Sequence, residues 1–286
     1  MYDPKPTRYP FPEQTDQHYL VVKKNRGIVF DRNYPYVDQS KGFRFRRALF
    51  RIPLVCLAWP VCRIRMGLVL RGKENRKKFR DVLSGGLVSV SNHIHLWDFL
   101  AVMQCLYFRK PGILSWDKNI NGENGTLIRM VGGIPIPVSD FRAVSAFGKA
   151  VDAYLKEGNW LHVCPEGSMW EFYQPIRPFK DGAFYIAYKA GVPILPMAFS
   201  YREPKGFWKL FYKQAFLTLN VGEPLTFNPD LSPSDAVEEM TIRAHHAVCA
   251  LAGIDPKQNL YPPLFRQTKR IDYYTTEYGK SEKPSR

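Results

Sequence analysis

The sequence predicts an α/β protein in which a central mixed sheet is flanked by helices. Short apolar runs at residues 86–90 and 160–164 alternate with stretches at 96–107, 144–155 and 179–190 whose apolar residues recur every three or four positions. Gly158 and Gly191 stand just past two of those stretches, where a helix end favours a residue free to take positive φ. With 286 residues, 45% of them hydrophobic, the chain is large enough for one sizeable domain with extensions.

Residues 1–40 are rich in Pro, Tyr and charged groups, lack helical periodicity and read as an extended arm. Residues 41–80 carry thirteen Lys and Arg against the single acid Glu74, whereas residues 81–286 hold 22 basic and 20 acidic groups, so most of the net charge of +15 lies in one segment. That segment contains the apolar run 52–62, flanked by Arg44, Arg46, Arg47 and Arg51 on one side and by Arg63 and Arg65 on the other. Eleven residues interrupted by Pro53 and Pro60 are too few to span a bilayer, which needs about twenty. They predict either a basic apolar segment lying in a membrane interface, with its cations toward anionic lipid, or a buried helix with a solvated basic rim. The opening Met1-Tyr2-Asp3-Pro4-Lys5 lacks the pattern of a cleavable signal, and no other run is long enough to span.

Residues 81–253 form the expected globular domain. The run 86–90 is a strand that delivers His93 to a sheet edge, and from Leu96 the positions Phe99, Leu100, Val102, Met103, Leu106 and Tyr107 follow a helix. Val144, Phe147, Val151, Tyr154 and Leu155 line one face of a second helix, and Trp160 then begins a buried strand leading into Pro165-Glu166-Gly167. Phe179 to Ala183 opens a third helix, and residues 234–252 form a closing helix with Ser234 or Asp235 as cap and Gly253 as stop. Residues 254–286 are an extension ending in a polar tail, 272–286. Cys56, Cys62, Cys105, Cys164 and Cys249 are odd in number, lie mostly in apolar runs and read as reduced core residues of a cytoplasmic protein.

The chemistry concentrates at Asn92-His93-Ile94-His95-Leu96-Trp97-Asp98. With His93 in the turn and Asp98 in the first helical turn, the carboxylate can accept from one ring nitrogen and leave the other to take a proton from a substrate hydroxyl. Alternatively, Asp98 is a carboxylate at a helix start, where the dipole favours it, and His93 a hydrogen-bonded loop histidine. Glu166 and Gly167 offer a carboxylate at a strand end and close backbone approach to a ligand, or else form a tight turn.

Four blocks in order resemble the glycerophospholipid acyltransferase family, the PlsC-like lysophosphatidate acyltransferases, over about residues 85 to 225. His93 and Asp98 fall on its HxxxxD, and Gly132-Gly133-Ile134-Pro135-Ile136 on its second block. Glu166-Gly167-Ser168 resembles the third block, and Gly191-Val192-Pro193-Ile194-Leu195-Pro196 the fourth. The resemblance implies acyl transfer from acyl-CoA or acyl-carrier protein to a lysophospholipid or related glycerolipid at the cytoplasmic face of a membrane, by a peripheral or monotopic protein. It implies His93 as general base, Asp98 as its orienting partner, and Glu166, Gly167 and Ser168 near the acceptor, with no metal or redox cofactor.

Two departures bear on the acceptor. Val138 and Met169 stand where the family pattern carries arginines associated with a phosphate, so either Arg142 and Lys180 take over that role, Arg142 being the favoured replacement, or the acceptor carries no phosphate there. Lys118 is a further candidate, for polarising the thioester carbonyl, two positions from where a family lysine falls. Two other classes compete: a metal-dependent hydrolase using His93-Ile94-His95 with Asp98, and a nucleic-acid-binding protein using the basic segment. The aspartate falls one position late for the metal pattern. The apolar run in the basic segment favours lipid over nucleic acid.

Overall fold

The structure is a computed structural model in which residues 2–5, 15, 17–18, 22, 24–105, 109, 111–138 and 140–263 are described. The expected tail 272–286 and the helix positions Leu106 and Tyr107 lie outside these residues. Seven strands, β1 (Val69–Arg71), β2 (Leu87–Val90), β3 (Gly112–Trp116), β4 (Gly133–Ile136), β5 (Trp160–Val163), β6 (Ile194–Arg202) and β7 (Phe216–Val221), form one sheet in the order β1-β7-β6-β2-β5-β3-β4. The sheet is mixed, as expected: β6 and β7 are antiparallel and the other neighbouring pairs are parallel.

The helices are α1 (Lys41–Pro53), α2 (Trp59–Arg65), α3 (Asn75–Lys78), α4 (Arg80–Ser84), α5 (Asp98–Cys105), α6 (Asp117–Asn121), α7 (Gly125–Val131), α8 (Phe141–Lys156), α9 (Gly182–Ala190), α10 (Trp208–Phe211) and α11 (Pro233–Ala252). Strand alternation sends side chains to two apolar layers. Val88, Val90, Ile194 and Ala198 pack with Phe147, Val151 and Leu155 of α8, Ala187 of α9 and Met240 and Val248 of α11. Leu87, Leu195, Met197 and Phe199 face the other way, onto Leu100 and Met103 of α5 and Leu54 and Cys62 of the basic segment.

Local sequence explains the element ends. Gly158 and Gly191 take φ of 82° and 67° beyond α8 and α9, as the helix-stop reading requires. The closing helix begins earlier than expected: Ser232, not Ser234 or Asp235, is the cap, its hydroxyl accepting from the Asp235 amide, because Pro233 is suited to the first helical turn. The basic segment is helical from residue 41 to 65, with α1 and α2 joined through a π-helical stretch, Leu54–Ala58, between Pro53 and Pro60. A proline lacks the amide that regular α-helix needs, and a wider turn accommodates the loss. Within the apolar run, Leu54 and Cys62 are buried while Ile52, Leu57 and Val61 are exposed. Cys56 is exposed too, so it is not the core residue expected from its surroundings.

Candidate active site

Parallel β2 and β5 end side by side, Val90 opposite Val163, so the turns carrying His93 and Glu166 leave the sheet together. Asn92 anchors the first turn: its side-chain oxygen accepts from the Phe199 amide at 2.8 Å and its nitrogen donates to the Phe199 carbonyl at 3.2 Å. His93 Nδ1 lies 2.6 Å from Asp98 Oδ2, which also accepts from the Ile94 amide at 3.3 Å. Asp98 is the first residue of α5 and only 3% exposed, whereas the His93 side chain retains 30% exposure. Burial disfavours charge on Asp98, but the charge and hydrogen bond of His93, with His162 and His95 nearby, hold its pKa below the usual carboxylate value. An ionised carboxylate therefore fixes the proton on Nδ1 and leaves Nε2 as the basic nitrogen.

Behind the dyad, His162 is fully buried beneath the strand ends. Its Nδ1 lies 2.8 Å from Ser89 Oγ, which accepts from Trp160 Nε1 at 2.7 Å, and burial lowers its pKa to about 4. His95 does not join the dyad. Its Nδ1 accepts from the Trp97 amide at 3.0 Å and its ring meets Phe172 edge-on, so the expected His-x-His metal cluster is not assembled. Ligand atoms of Cys164, His93 and Asp98 do lie within 4.8 Å of one another. Burial and the neighbouring Asp98 and Glu166 push the pKa of the Cys164 thiol well up.

Glu166 and Ser168 are buried rather than open to an acceptor. Glu166 Oε1 accepts from the Arg177 amide at 2.9 Å, and Oε2 accepts from the His93 amide at 2.9 Å and from Arg177 Nη2 at 2.7 Å. Arg177 Nη1 donates to Ser168 Oγ at 2.6 Å, and the guanidinium stacks 4.6 Å from the Trp170 ring centre. The protein itself thus takes up the groups expected to hold the substrate, and it uses them to position the His93 backbone. The 170–172 strand of chain reinforces this, Trp170 and Phe172 donating their amides to the His93 and Ile94 carbonyls at 3.1 and 2.9 Å. Phe172 has φ of 54°, a left-handed conformation unusual for an aromatic residue. Sequence reading missed Arg177, which lies in an ordinary Pro-Ile-Arg-Pro-Phe stretch, and Asn92, whose only signal is its place beside His93.

The remaining candidates separate. Lys180 lies over Gly167, where an added Cβ would come 3.1 Å from its ammonium, and a cleft of about 780 Å³ between α9 and α11 opens beside it. Arg142 is exposed at the start of α8, beyond β4, which stands three strands from β2, about 14 Å across the sheet. The structure therefore sets Lys180, not the favoured Arg142, beside the turn. Lys118 is exposed on α6 with its ammonium 4.8 Å from the Trp116 ring centre, away from the dyad at the end of β3.

A carboxylate-oriented imidazole thus stands at the carboxyl ends of parallel strands, with its backbone locked by a buried Glu–Arg pair. Residues 67–200 match the family model described as Acyltransferase. The chain is 32% identical over 116 residues to 1-acyl-sn-glycerol-3-phosphate acyltransferase beta of Homo sapiens, covering 40% of the chain and 41% of that protein. It is 28% identical over 192 residues to the alpha enzymes of Homo sapiens and Bos taurus, covering 58% of the chain and 65% and 64% of those proteins. The matches thus span less than two thirds of the length of these relatives.

Proposed function

We propose that the protein is a membrane-surface O-acyltransferase that moves a fatty acyl group from acyl-CoA or acyl-carrier protein to the hydroxyl of a lysophospholipid or related glycerolipid. The observation that carries this reading is the 2.6 Å contact between buried Asp98 and His93 Nδ1. Nε2 removes the proton of the acceptor hydroxyl as its oxygen attacks the thioester carbonyl. The tetrahedral intermediate collapses, the carbon–sulfur bond breaks, and the thiolate takes the proton back from the imidazolium. A base so placed contributes about 10²- to 10⁴-fold. Lys180, beside Gly167, is the cation best placed for an acceptor phosphate.

Membrane contact is supported by exposed side chains. Phe45, Leu49, Ile52, Leu57, Val61 and Ile64 project from the α1–α2 segment among Arg44, Arg46, Arg63 and Arg65. Phe207, Trp208, Leu210 and Phe211 form a second apolar cluster at α10, flanked by exposed Lys205 and Lys213. Phe216, which closes on Gly67 at the end of α2, ties α10 to that segment through Trp208 and Tyr212. No described helix is long and apolar enough to cross a membrane, and the contact we propose is peripheral, at the cytoplasmic face.

The test is a lipid-product assay with radiolabelled acyl donors against lysophosphatidate, other lysophospholipids and monoacylglycerol, in wild type and His93→Ala. We expect a diacyl product that disappears in the folded variant. Near-wild-type turnover by His93→Ala would defeat the mechanism, and no acylated glycerolipid with any donor would defeat the acceptor class.

A further inference from the structure

A cavity of about 320 Å³ lies beneath α2, lined by Trp59, Arg63, Lys73, Arg76, Gln104 and Cys105. It is separate from the dyad, since Gln104 stands six residues along α5 from Asp98, about 9 Å by helical rise. Among the described residues, three cations line it and no carboxylate does. Arg76 is held at the wall, Nη1 donating to the Cys105 carbonyl at 3.1 Å. Two buried polar atoms at the same cavity lack partners among the described residues, the Trp59 indole nitrogen and Gln104 Oε1. Gln104 is 3% exposed and its Nε2 already donates to the Leu100 carbonyl, so its oxygen is the unmatched end. Buried donors and acceptors without partners are rare, and a pair of opposite type beside clustered cations marks a place prepared for a ligand.

We propose that this cavity binds a phosphate with a neighbouring hydroxyl, of the glycerol-phosphate class, as a site separate from the catalytic centre. The phosphate oxygens accept from Arg63, Lys73, Arg76 and the Trp59 N–H, while the hydroxyl donates to Gln104 Oε1. The volume is at the small end of the range for ligand sites, about 300–1,000 Å³, and suits a headgroup rather than a whole lipid. The same chemistry is offered by a soluble polyol phosphate and by the headgroup of an anionic phospholipid presented where α2 meets the bilayer.

Thermal unfolding of the full chain tests this, with inorganic phosphate, sn-glycerol 3-phosphate, and phosphatidylcholine vesicles with or without phosphatidylglycerol. The variants are Arg63→Gln/Lys73→Gln, Gln104→Leu, and Arg44→Gln/Arg46→Gln as a control of equal charge. A soluble ligand at about ten times its Kd is expected to raise Tm by about 3 °C, an increase lost in Arg63→Gln/Lys73→Gln and kept in the control. If only the phosphatidylglycerol vesicles produce that rise, and at high salt, where Arg44 and Arg46 are screened, it is lost in Arg63→Gln/Lys73→Gln alone, the headgroup is the source. Gln104→Leu should weaken the response to glycerol phosphate more than the response to phosphate. Equal responses in the two charge-neutralised variants, or none with any probe, would overturn the site.

Discussion

At the scale of single residues the candidate site is a set of positioning contacts around one exposed nitrogen, and the variants separate their roles. Asp98→Asn keeps the shape but removes the charge that holds the proton on Nδ1. Turnover should fall about 10²- to 10⁴-fold with KM little changed, measured as kcat and KM for the same acceptor. An unchanged kcat would mean the tautomer does not depend on Asp98. Arg177→Met leaves the Glu166 carboxyl buried without its guanidinium partner, so urea unfolding should show a loss of about 3–5 kcal/mol, with part of it recovered in Glu166→Gln/Arg177→Met. Additive losses would show that the two side chains are not coupled. For the acceptor phosphate, Lys180→Gln should lower kcat/KM for lysophosphatidate relative to monoacylglycerol, while Arg142→Gln should leave that ratio alone. The reverse result would restore Arg142 as the contact.

At the scale of elements, exposed surface makes the next prediction. Replacing Phe207, Leu210 and Phe211 by Ser should weaken partition to anionic vesicles at least about tenfold, since burying each side chain fully is worth about 1.5–3 kcal/mol. Arg44→Gln/Arg46→Gln should weaken it mainly at low salt, where screening is least. Arg47 is left intact because it donates to the Pro111 carbonyl at 2.8 Å and anchors α1 to the domain. Unchanged partition in both variants, by vesicle sedimentation, would remove the membrane reading. The elements of the fold differ in how plainly the sequence announced them. α8 has 16 residues with five buried on one face, long enough for its period to show, and β2 and β5 are buried runs bounded by turn residues. α10 has four residues and β1 three, too short to display a period; β1 is fixed by its pairing with β7, and α10 by the contact of Trp208 with Phe216.

At the scale of the whole molecule, the sheet converts distant sequence into one site. The His93–Asp98 pair was legible because five residues span a turn and its partner, a purely local geometry. The Glu166–Arg177 lock was not, since it depends on β2 and β5 ending together and on a guanidinium that donates both to side chains and to the distant backbone carbonyls of Ser168 and Thr15. Burial of histidines is likewise a property of the assembled layers, and it sets how stability depends on pH. Burial lowers the pKa of His162 to about 4 and, with His246 nearby, that of His245 to about 3. In the unfolded chain both titrate near 6.5, so between these values the unfolded state binds more protons and stability rises with pH. The stability is fully present above about pH 6.5 and is lost as the pH falls toward the folded values, at roughly 1.4 kcal/mol per pH unit for each histidine. The depressed pKa of Asp98 acts in the same direction, but only below the usual carboxylate value near 4. The urea midpoint should therefore fall between pH 6.5 and 4.5 by an amount equivalent to about 3–5 kcal/mol. His245→Leu should flatten that slope, leaving the titration of His162 in β5 together with that of His246 and His95, whose pKa values burial also lowers. A midpoint independent of pH across this window would show that these imidazoles are solvated, and that the layers enclosing them are open.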